Sequence, residues 1–252
     1  MHCESHTPGS FCTTVLRTRD PQRAATFYNA LAGWTVEPVA GTRQHLLMLF
    51  EGKVVAGFQD VFDGPDEWVP HVSVTDLDRT ISQAHELGGT LVDMSDAAGF
   101  ARLATLRDAE GARFGVWQPA PHQGAALMEE VGSVWWFEVM ARDVESPRTF
   151  YGRLFDWQSY DTVFEPFHSY TVFKRGDVQE GGIMKMDPEW DVPPSWNSIF
   201  AVNDCDAMLE KACRLGGSAI FIHTVPTAGR IGGFIDPGGA SCLIRGPVIG
   251  RP

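Results

Sequence analysis

The chain has 252 residues, of which 44% are hydrophobic, and a formal net charge of −12. This length suits one large or two ordinary globular domains, and the acidic balance argues against nucleic acid or an anionic membrane as partner because both would repel it. The five cysteines are scattered and odd in number, which is typical of reduced thiols, and no apolar run approaches the roughly 20 residues that span a bilayer. We therefore expect a cytoplasmic globular protein.

The first half alternates strand-like and helix-like segments in a regular order. An apolar run leads to Asp20 and Pro21, which are typical of an N-cap followed by proline at the first helical position. Strand-like runs such as "HLLMLF" and "VVAGFQ" follow. A second strand and helix then end in "ELGG", where Gly88 suits a left-handed C-cap. The pattern predicts two successive βαβββ modules.

The second half repeats the first. "RDPQRAATFYNALAGW" at 19–34 is answered by "RDVESPRTFYGRLFDW" at 142–157, a shift of 123, and Ser146 before Pro147 predicts another N-cap. The segment at 68–89 is answered by 196–217, a shift of 128, with Gly216 as the second C-cap. We place the boundary in the linker-like "QPAPHQGAALMEEVG", which gives domains 1–124 and 125–252. The predicted class is α+β, with four βαβββ modules.

These motifs, "FY…L.GW" after an Asp, "ELGG" or "RLGG", and "D..G" before a last strand, resemble the vicinal oxygen chelate superfamily. That superfamily includes glyoxalase I, extradiol dioxygenases and bleomycin resistance proteins, and the chain looks closest to its fused two-domain branch. The resemblance implies two glyoxalase-like domains whose curved mixed sheets enclose cup-shaped cavities. Because one fold hosts many functions, the site needs a separate argument.

Metal-dependent members of this superfamily place His, Gln or Glu on the first strand of a module and Glu on its last strand. The first-strand positions, counted seven back from each helix-start Asp, are Thr13, Val69, Trp136 and Asn197. The last-strand positions are Gly115 and Leu243. Neither set offers the three or four ligands that a stable site needs, so we expect no metal and no other cofactor.

Counting five positions back from each helix-start Asp, instead of seven, keeps the side chain on the same sheet face. This register brings His71 and Glu138 into the cups. If modules 2 and 3 share a cup, the two residues form an acid/base pair; if modules pair in chain order, they lie in different cups. Glu138 should be partly desolvated, which raises a carboxyl pKa toward values useful to a general base. The alternative is a structural glutamate that is satisfied by an arginine, with Arg17, Arg102 and Arg142 as candidates.

Strand alternation places Trp136, Glu138 and Met140 on one face, and Trp135, Phe137 and Val139 on the other. We expect Trp136 to be a stacking wall for an aromatic or polyketide-like guest. The predicted substrate-binding set is Trp136, Met140, Thr13, Val15, Tyr170 and Asn197.

The first hypothesis is a metal-independent lyase, isomerase or cyclase that acts on a hydrophobic small molecule, with Glu138 and His71 as catalytic residues. The alternatives are a non-catalytic binder of the drug-sequestration kind and a metal-dependent glyoxalase or dioxygenase. Four modules could complete both cups in one chain, so a monomer suffices, and the sequence is equally compatible with a homodimer.

Overall fold

The computed structural model describes residues 1–40, 42, 45–61, 65–97, 100–163, 169–226 and 228–248. The first module consists of β1 (Phe11–Thr18), α1 (Pro21–Ala32), β2 (Thr35–Pro38), β3 (His45–Phe50) and β4 (Lys53–Asp60). The second consists of β5 (Glu67–Ser73), α2 (Leu77–Glu86), β6 (Thr90–Ala97), β7 (Ala101–Arg107) and β8 (Arg113–Pro119).

The second half repeats this order. Its first module consists of β9 (Val134–Ala141), α3 (Glu145–Phe155), β10 (Gln158–Thr162), β11 (Tyr170–Arg175) and β12 (Val178–Lys185). Its second consists of β13 (Ser195–Ala201), α4 (Cys205–Arg214), β14 (Ser218–Val225), β15 (Gly229–Ile235) and β16 (Ser241–Gly246). The prediction of an α+β fold built from four βαβββ modules is confirmed. No helix in these described ranges is long and apolar enough to cross a membrane.

Each half forms one curved, mixed, eight-stranded sheet. The strand orders are β2-β3-β4-β1-β5-β8-β7-β6 and β10-β11-β12-β9-β13-β16-β15-β14. The two modules of each half join through the antiparallel pairs β1/β5 and β9/β13. Modules therefore pair in chain order within a sheet, and the alternative in which modules 2 and 3 share a cup is wrong.

The helix ends follow local chemistry at three of the four predicted positions. The Asp20 side chain accepts a hydrogen bond from the backbone N–H of Arg23 at 3.0 Å, with Pro21 next in the helix. Gly88 and Gly216 have φ of 90° and 96°, in the left-handed region that glycine tolerates best. The Ser146 cap is wrong, because α3 begins one residue earlier at Glu145 and has no side-chain cap.

The convex faces of the two sheets pack against each other. Phe11 of β1 stacks on Phe137 of β9 with ring centroids 4.1 Å apart. The Thr14 and Ser198 hydroxyls are hydrogen-bonded at 2.7 Å across the same interface. Because successive strand residues point to opposite faces, the neighbours of these residues point away from the interface. The two concave faces, here called the first cup and the second cup, therefore face away from each other.

The most obvious repeated residues hold the two halves together. The Tyr28 hydroxyl donates to Asp236 at 2.9 Å and accepts from the Trp68 indole N–H at 3.0 Å. In the symmetry-related position, Tyr151 donates to Asp108 at 2.8 Å and accepts from Trp196 at 2.6 Å. The "FY", "D..G" and strand-opening Trp motifs thus meet as buried hydrogen-bonded triads. Their role here is structural.

Candidate functional site

His71 lies in the first cup and is fully buried. Its Nδ1–H donates to the Val69 carbonyl at 2.9 Å, and its Nε2 has no hydrogen-bond partner in the described residues. Burial lowers the pKa of His71 to about 4, so the ring is neutral at pH 7. A Cβ atom at Gly115 would lie 2.2 Å from this ring. The imidazole therefore occupies the space of the last-strand position at which metal-dependent relatives carry a ligand.

Side chains of the described residues narrow the first cup. The pocket beside Thr13, Val15, Phe100 and Trp117 has a volume of about 10 Å³, which is room for one water at most. Thr13 and Val15 are buried wall residues. Their role as substrate contacts stays a prediction, and Phe100 and Trp117 narrow the space beside them.

Glu138 lies in the second cup, on a different sheet from His71. The predicted acid/base pair therefore does not form. Glu138 keeps 6% of its surface exposed, whereas His71 keeps none. Glu138 is therefore slightly more accessible than His71.

A hydrogen-bonded chain leads to the Glu138 carboxylate. The Trp136 indole N–H donates to the Tyr170 hydroxyl at 2.8 Å, and that hydroxyl in turn donates to Glu138. Tyr170 can cross the sheet because residue 182, which pairs with Glu138 in the neighbouring strand, is glycine. A Cβ atom at Gly182 would lie 2.0 Å from the Tyr170 oxygen. Gly182 is therefore required for this arrangement.

The electrostatics of Glu138 combine one large unfavourable effect and one smaller favourable effect on its ionised form. Burial raises the pKa of the carboxyl to about 7, and the Tyr170 hydrogen bond acts in the opposite direction. No ion pair to Glu138 is found within the described ranges, because the arginines proposed as partners are engaged elsewhere. Arg17 pairs with Asp93 and Glu67, Arg102 pairs with Asp78 and Asp96, and Arg142 donates to the Val192 carbonyl. Within the described residues, none of these three arginines neutralises Glu138.

The remaining predicted contact residues surround this carboxylate. Asn197 pairs directly opposite Glu138 on β13 and is almost fully buried. Met140 and Trp136, each two positions away on β9, are half-buried. Tyr170, which is predicted to bind substrate, contacts Glu138 and Trp136 through its hydroxyl. The sequence signal for this role was the glycine pair 181–182 inside a strand, which indicates a close approach by another group.

Trp135 departs from the predicted alternation. The register between β9 and β13 shifts between the pairs Trp136/Ile199 and Val134/Phe200, so Trp135 lies at a β-bulge. Its half-buried ring lies 4.7 Å from the guanidinium carbon of Arg245. Phe137 and Val139 are buried on the convex face as predicted. The placement of Trp135 with them is wrong because of the extra residue in the strand.

Among the described residues of the second cup, the donor set does not fit a divalent metal. Around Glu138 the register places Asn197, Trp136, Ile199 and Leu243, of which only Asn197 offers an oxygen. Across all described residues there is no group of three His, Cys, Asp or Glu side chains that could hold an ion. Structural and catalytic sites for Zn²⁺ and related ions need at least three protein ligands.

Comparisons with known proteins agree with this architecture. Residues 13–117 match the family model described as a glyoxalase-like domain. The chain is 31% identical over 245 residues to "Putative glyoxylase CFP32" of Mycobacterium tuberculosis, covering 92% of each chain. It is 28% identical over 256 residues to "Anthracycline biosynthesis protein DnrV" of Streptomyces peucetius, covering 92% of this chain and 91% of that protein.

Among solved structures, the Mn(II)-bound glyoxalase from Novosphingobium aromaticivorans superimposes with a TM-score of 0.63 at 13% identity, covering 96% of this chain and 83% of that one. This likeness concerns the fold alone. The relative at 31% identity carries the assignment further, since nearly the whole of both chains is matched. The chain therefore belongs to the glyoxalase-like family, as a fused two-domain member of the vicinal oxygen chelate superfamily.

Proposed function

We propose that the second cup is a metal-independent proton-transfer site of a lyase, isomerase or cyclase, in which Glu138 is the general base. The observation that supports this most strongly is a nearly buried carboxyl without an ion pair in the described residues, whose pKa is raised to about 7. A base with this pKa is half ionised near neutral pH and gains driving force over an ordinary glutamate. Perturbed titration in a concave site is a recognised mark of catalytic residues.

Each neighbour of Glu138 has a defined task in this proposal. Tyr170 orients the carboxylate through its hydroxyl, and Trp136 fixes the Tyr170 oxygen from the other side. The half-buried Trp136 indole and Met140 offer an apolar surface to a flat guest. The ionised carboxylate takes a proton from a carbon next to a carbonyl group. The electron pair moves onto the carbonyl oxygen as an enolate, and the protonated Glu138 returns the proton to carbon.

We infer that the substrate is an aromatic polyketide that contains such a carbonyl group. The relatives named for anthracycline biosynthesis, which include DauV of Streptomyces at 28% identity over 256 residues, favour this class. The apolar surface beside Glu138 is compatible with it. The cytoplasm is the expected location, because unpaired cysteines are typical of proteins from a reducing compartment.

The test is incubation of the purified protein with an anthracycline aglycone in D₂O, followed by mass spectrometry. We expect deuterium to enter the carbon next to the carbonyl group faster than without protein, and Trp136 fluorescence to be quenched on binding. Chelator-treated protein should exchange at the same rate. Loss of exchange after chelation, or stoichiometric metal in protein purified without chelator, would contradict the proposal.

A second candidate function is sequestration without chemistry. It is favoured by the small exposed area of Glu138, since a carboxyl that is 6% exposed offers little access to a substrate. The same experiment separates the two functions. Tight binding with no deuterium entering the aglycone would indicate a binder.

A further inference from the structure

A groove of about 480 Å³ lies between the two halves, where α1 and α4 meet on the convex side. Its walls are mainly aromatic and aliphatic and include Trp34, Phe200 and Phe234. This volume falls within the range of small-molecule sites, and the lining is of the apolar kind that such sites have. The groove is separated from Glu138 by the thickness of the second sheet, because Glu138 points to the concave face.

The pseudo-symmetric position, where α2 and α3 meet, is filled. There Phe114 of β8 and Phe155 of α3 are in contact, with ring centroids 6.1 Å apart, and both are buried. The repeat shifts of 128 and 123 align these residues with Cys242 and Ala32. Both small residues line the groove. The open volume therefore lies where Ala32 and Cys242 stand in place of the Phe155 and Phe114 rings of the pseudo-symmetric position.

The hydrogen bonds around the groove match those of its filled counterpart, whereas Phe200 and Phe234 replace Val72 and Leu106 at the equivalent positions. The triad of Tyr28, Asp236 and Trp68 is hydrogen-bonded in the same way as the triad at the pseudo-symmetric position. Trp34 donates its indole N–H to the Gly132 carbonyl at 2.9 Å, and the equivalent Trp157 donates to the Gly9 carbonyl at 2.7 Å. The groove thus lies within a framework of hydrogen bonds that is intact.

The charged groups at the groove already have partners. Lys211 is exposed and donates to the Leu31 carbonyl at 3.0 Å, and the Asp204 carboxylate caps α4 by accepting from Ala207. Because these two groups carry opposite charges and are accessible to solvent, an ionic guest would gain little net attraction from them while losing its hydration. The missing groups are phenyl rings, so an aromatic ring system is the shape that complements the walls. We propose that this interdomain groove binds a neutral, flat aromatic molecule of two or more fused rings, at a site distinct from the second cup.

The test uses prodan, a neutral naphthalene dye whose emission shifts to the blue in apolar surroundings, added to the full-length protein. We expect saturable binding at one site per chain. Ala32→Phe and Cys242→Phe, which introduce the rings found at the pseudo-symmetric position, should each raise the Kd at least tenfold. The matched control is Trp136→Ala in the second cup, which should leave the prodan Kd unchanged.

Near-UV circular dichroism reports whether each filled variant keeps its fold, and Cys242→Leu is the smaller filling to use if a phenylalanine is not accommodated. Deuterium exchange at the second cup should persist in all three, so this proposal and the proposed function fail independently. Absence of saturable binding, or an unchanged Kd in the folded filled variants, would overturn the proposal. A dimer in solution that the filled variants dissociate would also overturn it, by showing that a second copy covers the groove.

Discussion

Glu138→Gln is expected to reduce the rate of proton exchange into an anthracycline aglycone by about 10²- to 10⁴-fold, the range that a general base supplies. The amide is nearly the same size and can still accept the Tyr170 hydrogen bond, so the cup keeps its shape. It cannot accept a proton at neutral pH. Mass-spectrometric exchange rates at saturating aglycone measure the loss, and fluorescence quenching checks that binding persists.

The matched control for this experiment is Glu180→Gln. Glu180 lies on the adjacent strand β12 and is also 6% exposed, but its carboxylate pairs with Arg175 and accepts from Ser10 at 2.8 Å. Removing its charge should lower stability and leave the exchange rate of the folded protein unchanged. Equal losses of rate in both variants would mean that any buried glutamate in this sheet supports the fold rather than the chemistry. An unchanged rate in Glu138→Gln would eliminate Glu138 as the base.

The same Glu138→Gln change is expected to stabilise the protein at alkaline pH. The pKa of Glu138 is raised from 4.5 to about 7 on folding, so the native state binds the proton more tightly than the unfolded state does. The contribution of Glu138 to the free energy of unfolding is fully present below pH 4.5 and is lost as the pH rises through 7. At one pKa unit per 1.36 kcal/mol, the ionised carboxylate costs the native state about 3 kcal/mol above pH 8.

Urea unfolding of both proteins at pH 4.5 and pH 8.5 measures this effect. We subtract the free energy of unfolding of the wild type from that of the variant at each pH. This difference should be about 3 kcal/mol greater at pH 8.5 than at pH 4.5. The titration of His71 and other groups cancels in this difference, because both proteins contain them. A difference that is the same at both pH values would mean that Glu138 is not desolvated.

The repeat was enough to predict the fold because each module carries its own local signals. Asp20 and Pro21 start a helix through their own chemistry, and Gly88 and Gly216 end one through their backbone freedom. The pairing of modules has no such local signal. Pairing in chain order and pairing of modules 2 and 3 would use the same strands with the same alternation. Only the antiparallel β1/β5 hydrogen bonds in the structure identify the partner of β5.

The site was only partly predictable for related reasons. Alternation placed Trp136 and Glu138 on the concave face, but one extra residue at the bulge moved Trp135 away from its expected neighbours. The narrowing of the first cup depends on Phe100 and Trp117, whose side chains approach His71 and Thr13 only after the sheet has curved. Tyr170 is 32 positions from Glu138 along the chain, and only the close approach over Gly182 joins them.

In the proposed function, burial and the Tyr170 hydroxyl poise the Glu138 carboxyl for proton transfer. Carbon-13 NMR titration of the glutamate side chains, with Glu138→Gln to assign the resonance, measures this without any substrate. We predict a midpoint near pH 7 in the wild type and a higher midpoint in Tyr170→Phe, because the hydrogen bond that lowers the pKa is removed. A midpoint near the ordinary value of 4.5, unmoved by Tyr170→Phe, would contradict the account.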